Sequence, residues 1–370
     1  MGKGYMGKIL WVDLDGGTMQ EEVISDEVYE MLLSGSGLAA RILYDRIPRG
    51  TDPLGPDNVL GFVSGLLTGT GALMTGRWMV TGKSPLTGGW GEANCGGNFS
   101  PAVKQCGYDG IFVRGISEKP VYLKIVDGNA ELVDASHLWG KDAVEAEKKI
   151  IQESGRGNIR VAVIGQAGEN LSLIAGVCND GGRIAARSGL GAVMGSKRLK
   201  AIALSGRRKI EVDDKEGIKH LSKKYGNWVK QDEHKGRYLH SRIFNLMGRA
   251  LRILPIGVGM PGDVVKLILK RYGTIVSNVV SAENGDSPVK NWKGAGYRDF
   301  PISTHSNMLN PQRIIDAEIK KYHCYSCPIG CGGICQTKDG EFPVKEVHKP
   351  EYETCCAFGA LVLNNDLGAV

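Results

Sequence analysis

The 370-residue chain lacks any apolar run long enough to span a bilayer. Its opening residues, M-G-K-G-Y-M-G-K-I-L-W-V-D-L-D, put a charge inside every candidate apolar core. They therefore read as neither a signal peptide nor a spanning helix, and Met6 spoils a myristoylation match. Cysteine is sparse over most of the length, with three of the nine before position 320 and six after it. That spread is not the disulfide framework of a small secreted scaffold, so a soluble protein of the reducing cytoplasm is expected. Long runs of one charge sign are also missing. The net charge of +6 arises from 46 basic residues interspersed with 40 acidic ones, a mixed solvated surface rather than a nucleic-acid stripe. No internal repeat or low-complexity tract is evident.

What the chain does have is a dense thiol run. Cys324, Cys327, Cys331 and Cys335 lie in C-Y-S-C-P-I-G-C-G-G-I-C, with Pro328, Gly330, Gly332 and Gly333 supplying irregular backbone. Thiolate is the natural donor to iron-sulfur iron, and a C-x-x-C step lets two sulfurs reach one cluster. Structural zinc is the competitor, although zinc sites usually repeat the pair and no second C-x-x-C or H-x-x-x-H exists here. Four core cysteines would be the plain alternative.

Glycine is the other anomaly: 53 residues, about twice the ~7% typical of proteins, crowd into 82–97 and 181–195. Turns in a sheet domain would account for them. Each segment also carries fixed positive charge, Arg77 and Lys83 in the first, Arg183, Arg187, Lys197 and Arg198 in the second. Glycine lets backbone N–H groups approach a phosphate, so the pair suggests an anionic ligand gripped from two sides.

The length exceeds one hydrophobic core, so two domains are expected: a strand-rich region over 1–208 and a helical region over 209–370, together an α+β protein. Residues 8–25 alternate around Asp15-Gly16-Gly17 as a hairpin, and 26–48 read as helices. Strands are predicted at 59–65, 78–81, 111–114, 121–126, 161–164 and 201–205, with a helix at 142–153. Further helices are predicted at 215–228, 263–272 and 311–322. The basic amphipathic stretch 242–271 could dock on a membrane or an acidic electron carrier, and core packing is the expectation. Gly35-x-Gly37-x-x-Ala40 and Val161 to Gly168 imitate dinucleotide fingerprints but lack the strand-to-helix context.

The run Gly76 to Gly97, G-R-W-M-V-T-G-K-S-P-L-T-G-G-W-G-E-A-N-C-G-G, with G-Y-D-G-I-F-V-R-G over 107–115, resembles the N-terminal domain of the tungsten-containing aldehyde:ferredoxin oxidoreductase family. So do Asn179-Asp-Gly-Gly-Arg-Ile-Ala-Ala-Arg-Ser-Gly-Leu-Gly and Cys324 to Cys331 followed by Pro350-Glu-Tyr-Glu353. The resemblance runs in order along nearly the whole chain, with 229–270 individual to this protein. It implies a bis-pterin tungsten or molybdenum cofactor beside a [4Fe-4S] cluster, with magnesium bridging the pterin phosphates. By motif position Arg77, Asn94 and Gly96, then Arg183, Ala186 and Arg187, match pterin-phosphate contacts. Cys324, Cys327 and Cys331 match three cluster ligands, and Glu351 matches an acidic residue near the metal, suited to acid/base work; beside Glu353 it would otherwise be a surface carboxylate. The implied reaction is oxidation of an aldehyde to a carboxylate, with ferredoxin as electron carrier, in a homo-oligomer or larger redox complex.

Two departures from the family pattern bear on this. The family's fourth cluster cysteine and second set of pterin contacts come from a long C-terminal region beyond these residues, which makes an inactive N-terminal fragment an alternative. Cys335, Cys355 and Cys356 are the substitutes at hand. Cys355-Cys356 is also reminiscent of the benzoyl-coenzyme A reductase branch, which reduces an aromatic acyl group, although buried packing is the expectation for a free cysteine.

Overall fold

The alternation around Asp15-Gly16-Gly17 folds as read: β1 (Lys8–Asp13) and β2 (Thr18–Val23) pair antiparallel, and Gly17 takes φ 62° in the turn. This is a computed structural model, and it describes residues 4–231, 235, 242–254, 260–338, 341 and 343–370. The chain divides into two compact units, residues 1–223 with 324–327, and residues 224–323 with 328–370. The helix Lys215–Lys230 runs across the division. The fold is α+β.

The first unit holds two six-stranded sheets. In chain order the remaining strands are β3 (Leu60–Ser64), β4 (Trp78–Lys83), β5 (Trp90–Cys95), β6 (Gly110–Arg114), β7 (Val121–Val126), β8 (Asn129–Asp134), β9 (Arg160–Val163), β10 (Val177–Asn179), β11 (Arg183–Ala185) and β12 (Leu199–Ser205). One sheet has the order β2-β1-β6-β3-β4-β5; the other, read from its opposite edge, is β8-β7-β12-β9-β10-β11. These are the same order. Each sheet has one parallel pair, β1 with β6 and β7 with β12, and is otherwise antiparallel. The unit is thus built twice, a repeat that the sequence does not display. In the first half β5 leads into the helix Phe99–Gln105; in the second, β11 leads into the helix Leu190–Ser196.

Alternating apolar positions drive the layering. Inward residues of both sheets, among them Leu10, Phe62, Val80, Ile111, Leu123, Ile202 and Leu204, form one continuous core with Phe99, Val103 and Val193 from the two short helices. The outer face of the first sheet is covered by the helices Asp26–Leu32 and Ser36–Arg46 through Tyr29, Leu38 and Ile42. The outer face of the second is covered by the helix Ala143–Ser154 through Ala146 and Ile150. Asp142 caps that helix by accepting from the N–H groups of Val144 and Glu145.

In the second unit the helix predicted over 311–322 is cut short. Asn310 caps it and Pro311 opens it, but it ends at Asp316, and Glu318–Tyr322 becomes β13. β13 pairs with β14 (Gly332–Thr337), which pairs with β15 (Val344–His348), both antiparallel. The local pattern suited either period; the ladder to β14 decided it, with Glu318 bound by Lys349 at 2.8 Å and Lys321 at 2.9 Å. Within 242–271, Phe244 and Ile268 pack as expected, against Tyr272, Ile275, Ile314 and Cys355. Leu246 and Ile253, at 71% and 70% exposure, do not. Among the described residues no helix is long and apolar enough to cross a membrane.

Candidate cofactor site and cysteine loop

Strand pairing in the first unit assembles the site. Arg77 sits one residue before β4, and β4 sets Met79 opposite Asn94 and Trp78 opposite Cys95 on β5. The period-2 alternation exposes Asn94 and buries Cys95. The Arg77 guanidinium donates to Asn94 Oδ1 from Nε at 2.6 Å and again from Nη2. The two groups that sequence reading paired therefore form one exposed polar element.

Gly96 and Gly97 then turn the chain. A Cβ on Gly96 would stand 2.6 Å from Cys324 Sγ, and one on Gly76 would stand 2.7 Å from the Tyr325 carbonyl oxygen. The loop 324–327 is seated on these glycines: Tyr325 N donates to Gly97 O at 3.0 Å, Met74 N donates to Ser326 O at 2.9 Å, and Cys327 N closes back on Cys324 O at 3.1 Å. Glycine at 76 and 96 is required for this close approach. Cys324 and Cys327 are half-buried.

The second arginine segment is held beside the first by residues that sequence reading quoted but gave no role. Asn179, at the end of β10, accepts from Cys95 Sγ at 3.2 Å and donates to Gly96 O at 3.2 Å. Asp180 Oδ2 accepts from the backbone and side-chain nitrogens of Asn98, each at 2.8 Å. Arg183 follows, opposite Asn179 in the β10–β11 hairpin. Ala186 and Arg187 are exposed, and next to them Ser188 Oγ donates to Glu92 O on β5 at 3.2 Å. Burial pushes the Cys95 thiol up to about 12, while Arg183 and Arg77 act on it in the opposite sense and Cys324 and Asp180 add to the rise. Both arginines, Cys324 and Asp180 therefore share the electrostatic surroundings of Cys95.

Behind the hairpin lies Glu147, buried on the helix Ala143–Ser154. Its Oε2 accepts from Gly181 N at 2.7 Å. Burial raises its carboxyl to about 7; the Gly181 N–H lowers it, Asp180 raises it, and the Asp180 N–H and Arg160 lower it.

The second unit contributes a separate constellation. Glu351 is half-buried and stands at the N-terminal end of the helix Tyr352–Phe358. Thr274 Oγ1 donates to Glu351 Oε2, and the same hydroxyl accepts from Tyr352 N at 3.1 Å. Gly273, at φ 72°, lies against the Cys331 carbonyl oxygen, where a Cβ would come within 2.4 Å. One corner, Gly273-Thr274, thus touches both the third cysteine of the run and the candidate acid/base. Nothing in the sequence pointed to Thr274.

The substitute thiols are interior. Cys355 packs in the core with Tyr272 and Ile314, Cys356 meets Ser287 Oγ at 3.5 Å, and Cys335 faces Ile314 O at 3.9 Å. Burial pushes Cys335 and Cys355 up to about 11. Packing, the expected role of Cys355 and Cys356, is where the structure places them. Among the described residues no three His, Cys, Asp or Glu side chains are gathered closely enough to grip a single metal ion.

Comparison with known proteins agrees with these motifs. The sequence model for the aldehyde ferredoxin oxidoreductase N-terminal domain matches residues 9–206, and that for domains 2 and 3 matches residues 260–370. The chain is 36% identical over 99% of its length to the tungsten-containing aldehyde ferredoxin oxidoreductase of Pyrococcus furiosus, and 37% identical over 99% to that of Thermococcus kodakarensis. In each case the match covers 54% of the relative, so the chain spans about half the length of the curated relatives it matches. Among solved structures, the active-site complex BamBC of benzoyl coenzyme A reductase with 1,5-dienoyl-CoA superposes with a TM-score of 0.79 at 29% identity, covering all of this chain and 52% of that one. With both family models matched, and relatives 36% and 37% identical over 99% of its length, the chain belongs to the aldehyde ferredoxin oxidoreductase family.

Proposed function

We propose that this chain holds a bis-pterin tungsten (or molybdenum) cofactor on its first unit and a [4Fe-4S] cluster on Cys324, Cys327 and Cys331, and serves the oxidation of an aldehyde to a carboxylate. The observation that carries the reading is the seating of the Cys324 thiol on Gly96, beside the Arg77–Asn94 pair. A cysteine loop docked on a glycine-and-arginine surface suits a cluster lying next to an anionic cofactor. Arg77, Asn94, Gly96, Arg183, Ala186 and Arg187 would hold the pterin phosphates, and magnesium would supply further positive charge to them. The C-x-x-C-x-x-x-C spacing with no second C-x-x-C supports a cluster over structural zinc.

When bound, the pterin-held metal supplies a two-electron acceptor and the cluster a one-electron exit. Aldehyde plus water then gives carboxylate, two electrons and three protons, the electrons leaving singly to a ferredoxin. Glu351 takes a proton from water or from the aldehyde hydrate, and the Thr274 hydroxyl orients the carboxylate by donating to its Oε2. The likeness to the benzoyl coenzyme A reductase complex supports a second reading, reduction of an aromatic acyl thioester. Buried Cys355 and Cys356 lend it nothing further.

The test is elemental analysis of the purified protein for tungsten, molybdenum and iron, joined to aldehyde-dependent reduction of ferredoxin. Metal, pterin and aldehyde turnover are expected. Absence of both tungsten and molybdenum from protein with an intact cluster overturns the reading; turnover of a dienoyl thioester in place of aldehydes selects the second.

A further inference from the structure

We propose that Glu147 is a positioning residue for the second arginine segment: from the helix behind the sheet, its carboxyl group holds the β10–β11 turn and so sets Asn179, Asp180 and Arg183 against the Gly96 to Asn98 corner. Its effect on cofactor binding rests on the function proposed above; its hold on the hairpin does not.

The turn between Asn179 and Arg183 is conformationally demanding. Asp180, Gly181 and Gly182 have φ of 50°, 71° and 140°, three successive residues in the left-handed half of conformational space. The first of them is not glycine, and such a residue persists only when its surroundings over-determine it. Glu147 supplies that determination. It is 4% exposed, its Oε2 accepts from Gly181 N at 2.7 Å, and the Asp180 N–H also bonds to it. A buried carboxyl group is costly unless its oxygens are used, and here both bonds go to one turn.

What the turn carries makes the hold consequential. Asn179 uses both ends of its amide on Cys95 and Gly96, and Asp180 binds Asn98 twice. Rotation of the turn would break all four contacts and move Arg183, which starts the next strand. Glu147 acts through this hairpin, by its bonds from the Gly181 and Asp180 N–H groups.

Hydrogen exchange at a single pH, read over residues 178–184, tests the idea with Glu147→Ala and with Glu147→Met, which fills the volume without an acceptor. Exchange there is expected to quicken about tenfold or more in both variants, as befits loss of bonds to a carboxyl group, while strands β1 and β6 keep their protection. Unchanged exchange in the hairpin overturns the proposal, and so does acceleration in Glu147→Ala alone, which would make a cavity the cause. In the cofactor-loaded protein, pterin retained after gel filtration is expected to fall in Glu147→Met and in Arg183→Ala. If it falls only in Arg183→Ala, the positioning role is overturned and the site reading stands. If it falls in neither, the site reading fails, and faster hairpin exchange still supports the hold of Glu147 on the turn.

Discussion

Replacing Gly96 by alanine is the most direct probe of how the cysteine loop is seated. The added Cβ would stand 2.6 Å from Cys324 Sγ, where ordinary contact begins near 3.4 Å, so the thiol must retreat by close to an ångström. Retreat is opposed on both sides. Tyr325 N is tied to Gly97 O at 3.0 Å, and the Tyr325 carbonyl already lies where a side chain on Gly76 would be. Overpacking of a well-fitted contact costs about 1–3 kcal/mol. Because each 1.4 kcal/mol is about tenfold in an equilibrium, seating of the loop should weaken by roughly 5- to 150-fold. Bound iron per chain and the visible absorbance of the cluster should fall together, with far-ultraviolet circular dichroism unchanged. Gly157→Ala is the control, since its Cβ would meet nothing within 4 Å. Iron content and thermal midpoint equal to those of the control would refute the steric argument and detach Cys324 from Gly96.

Arg77→Ala removes an exposed guanidinium and should lower bound pterin without lowering the melting temperature; full pterin content would remove Arg77 from the site. Thr274→Val deletes the donor to Glu351 and should cut turnover about tenfold with tungsten and iron unchanged, Thr274→Ser restoring it; equal rates in both variants would reduce the contact to packing. Glu351→Gln should likewise keep metal and cluster while lowering turnover, and an unaltered rate with the best aldehyde would return Glu351 to a structural role. For Glu147, a folded value of about 7 above the ordinary 4.5 means that folding binds a proton. Its contribution is full below about pH 4.5 and is lost as pH rises through 7, up to about 3 kcal/mol. Thermal unfolding of Glu147→Gln should show a shallower fall across that window, and a slope identical to the parent would contradict the burial argument.

Local pattern was enough for the elements that alternate or repeat cleanly. The first hairpin, the paired helices after it, and the helix behind the second sheet follow from spacing and caps such as Asp142 and Gly155, which takes φ 62°. β13 was not legible, because Ile314, Ile315, Ile319 and Tyr322 satisfy a helical period and only the ladder to β14 selects the strand. The glycine-rich segments were read as places where backbone meets phosphate. Gly96 in the first of them, and Gly76 just before it, also serve a loop about 230 and 250 residues further along the chain, and contacts so distant in sequence leave no local trace. Thr274 and Glu147 escaped for the same reason: each is an ordinary polar residue on or beside a helix until tertiary packing delivers its partner.

The duplication within the first unit explains why two separate segments carry glycine and arginine. Each half runs from an antiparallel pair into a short helix, through Gly96 and Gly97 in the first and through Ala186 to Gly189 in the second. The two junctions occupy equivalent places in a repeated strand order, yet their residues have diverged until no repeat can be seen in the sequence. Strand order survives such divergence because it depends on alternation and pairing rather than on identity. Divergence has also given the halves different tasks, since the first seats the cysteine loop while the second supplies the Asn179–Asp180 clamp that braces it. Of the dinucleotide fingerprints at 35–40 and 161–168, the first follows the helix Asp26–Leu32 rather than a strand. The second of these lies on β9, whose neighbours β10 and β12 both run antiparallel to it, unlike the parallel sheet that dinucleotide binding requires.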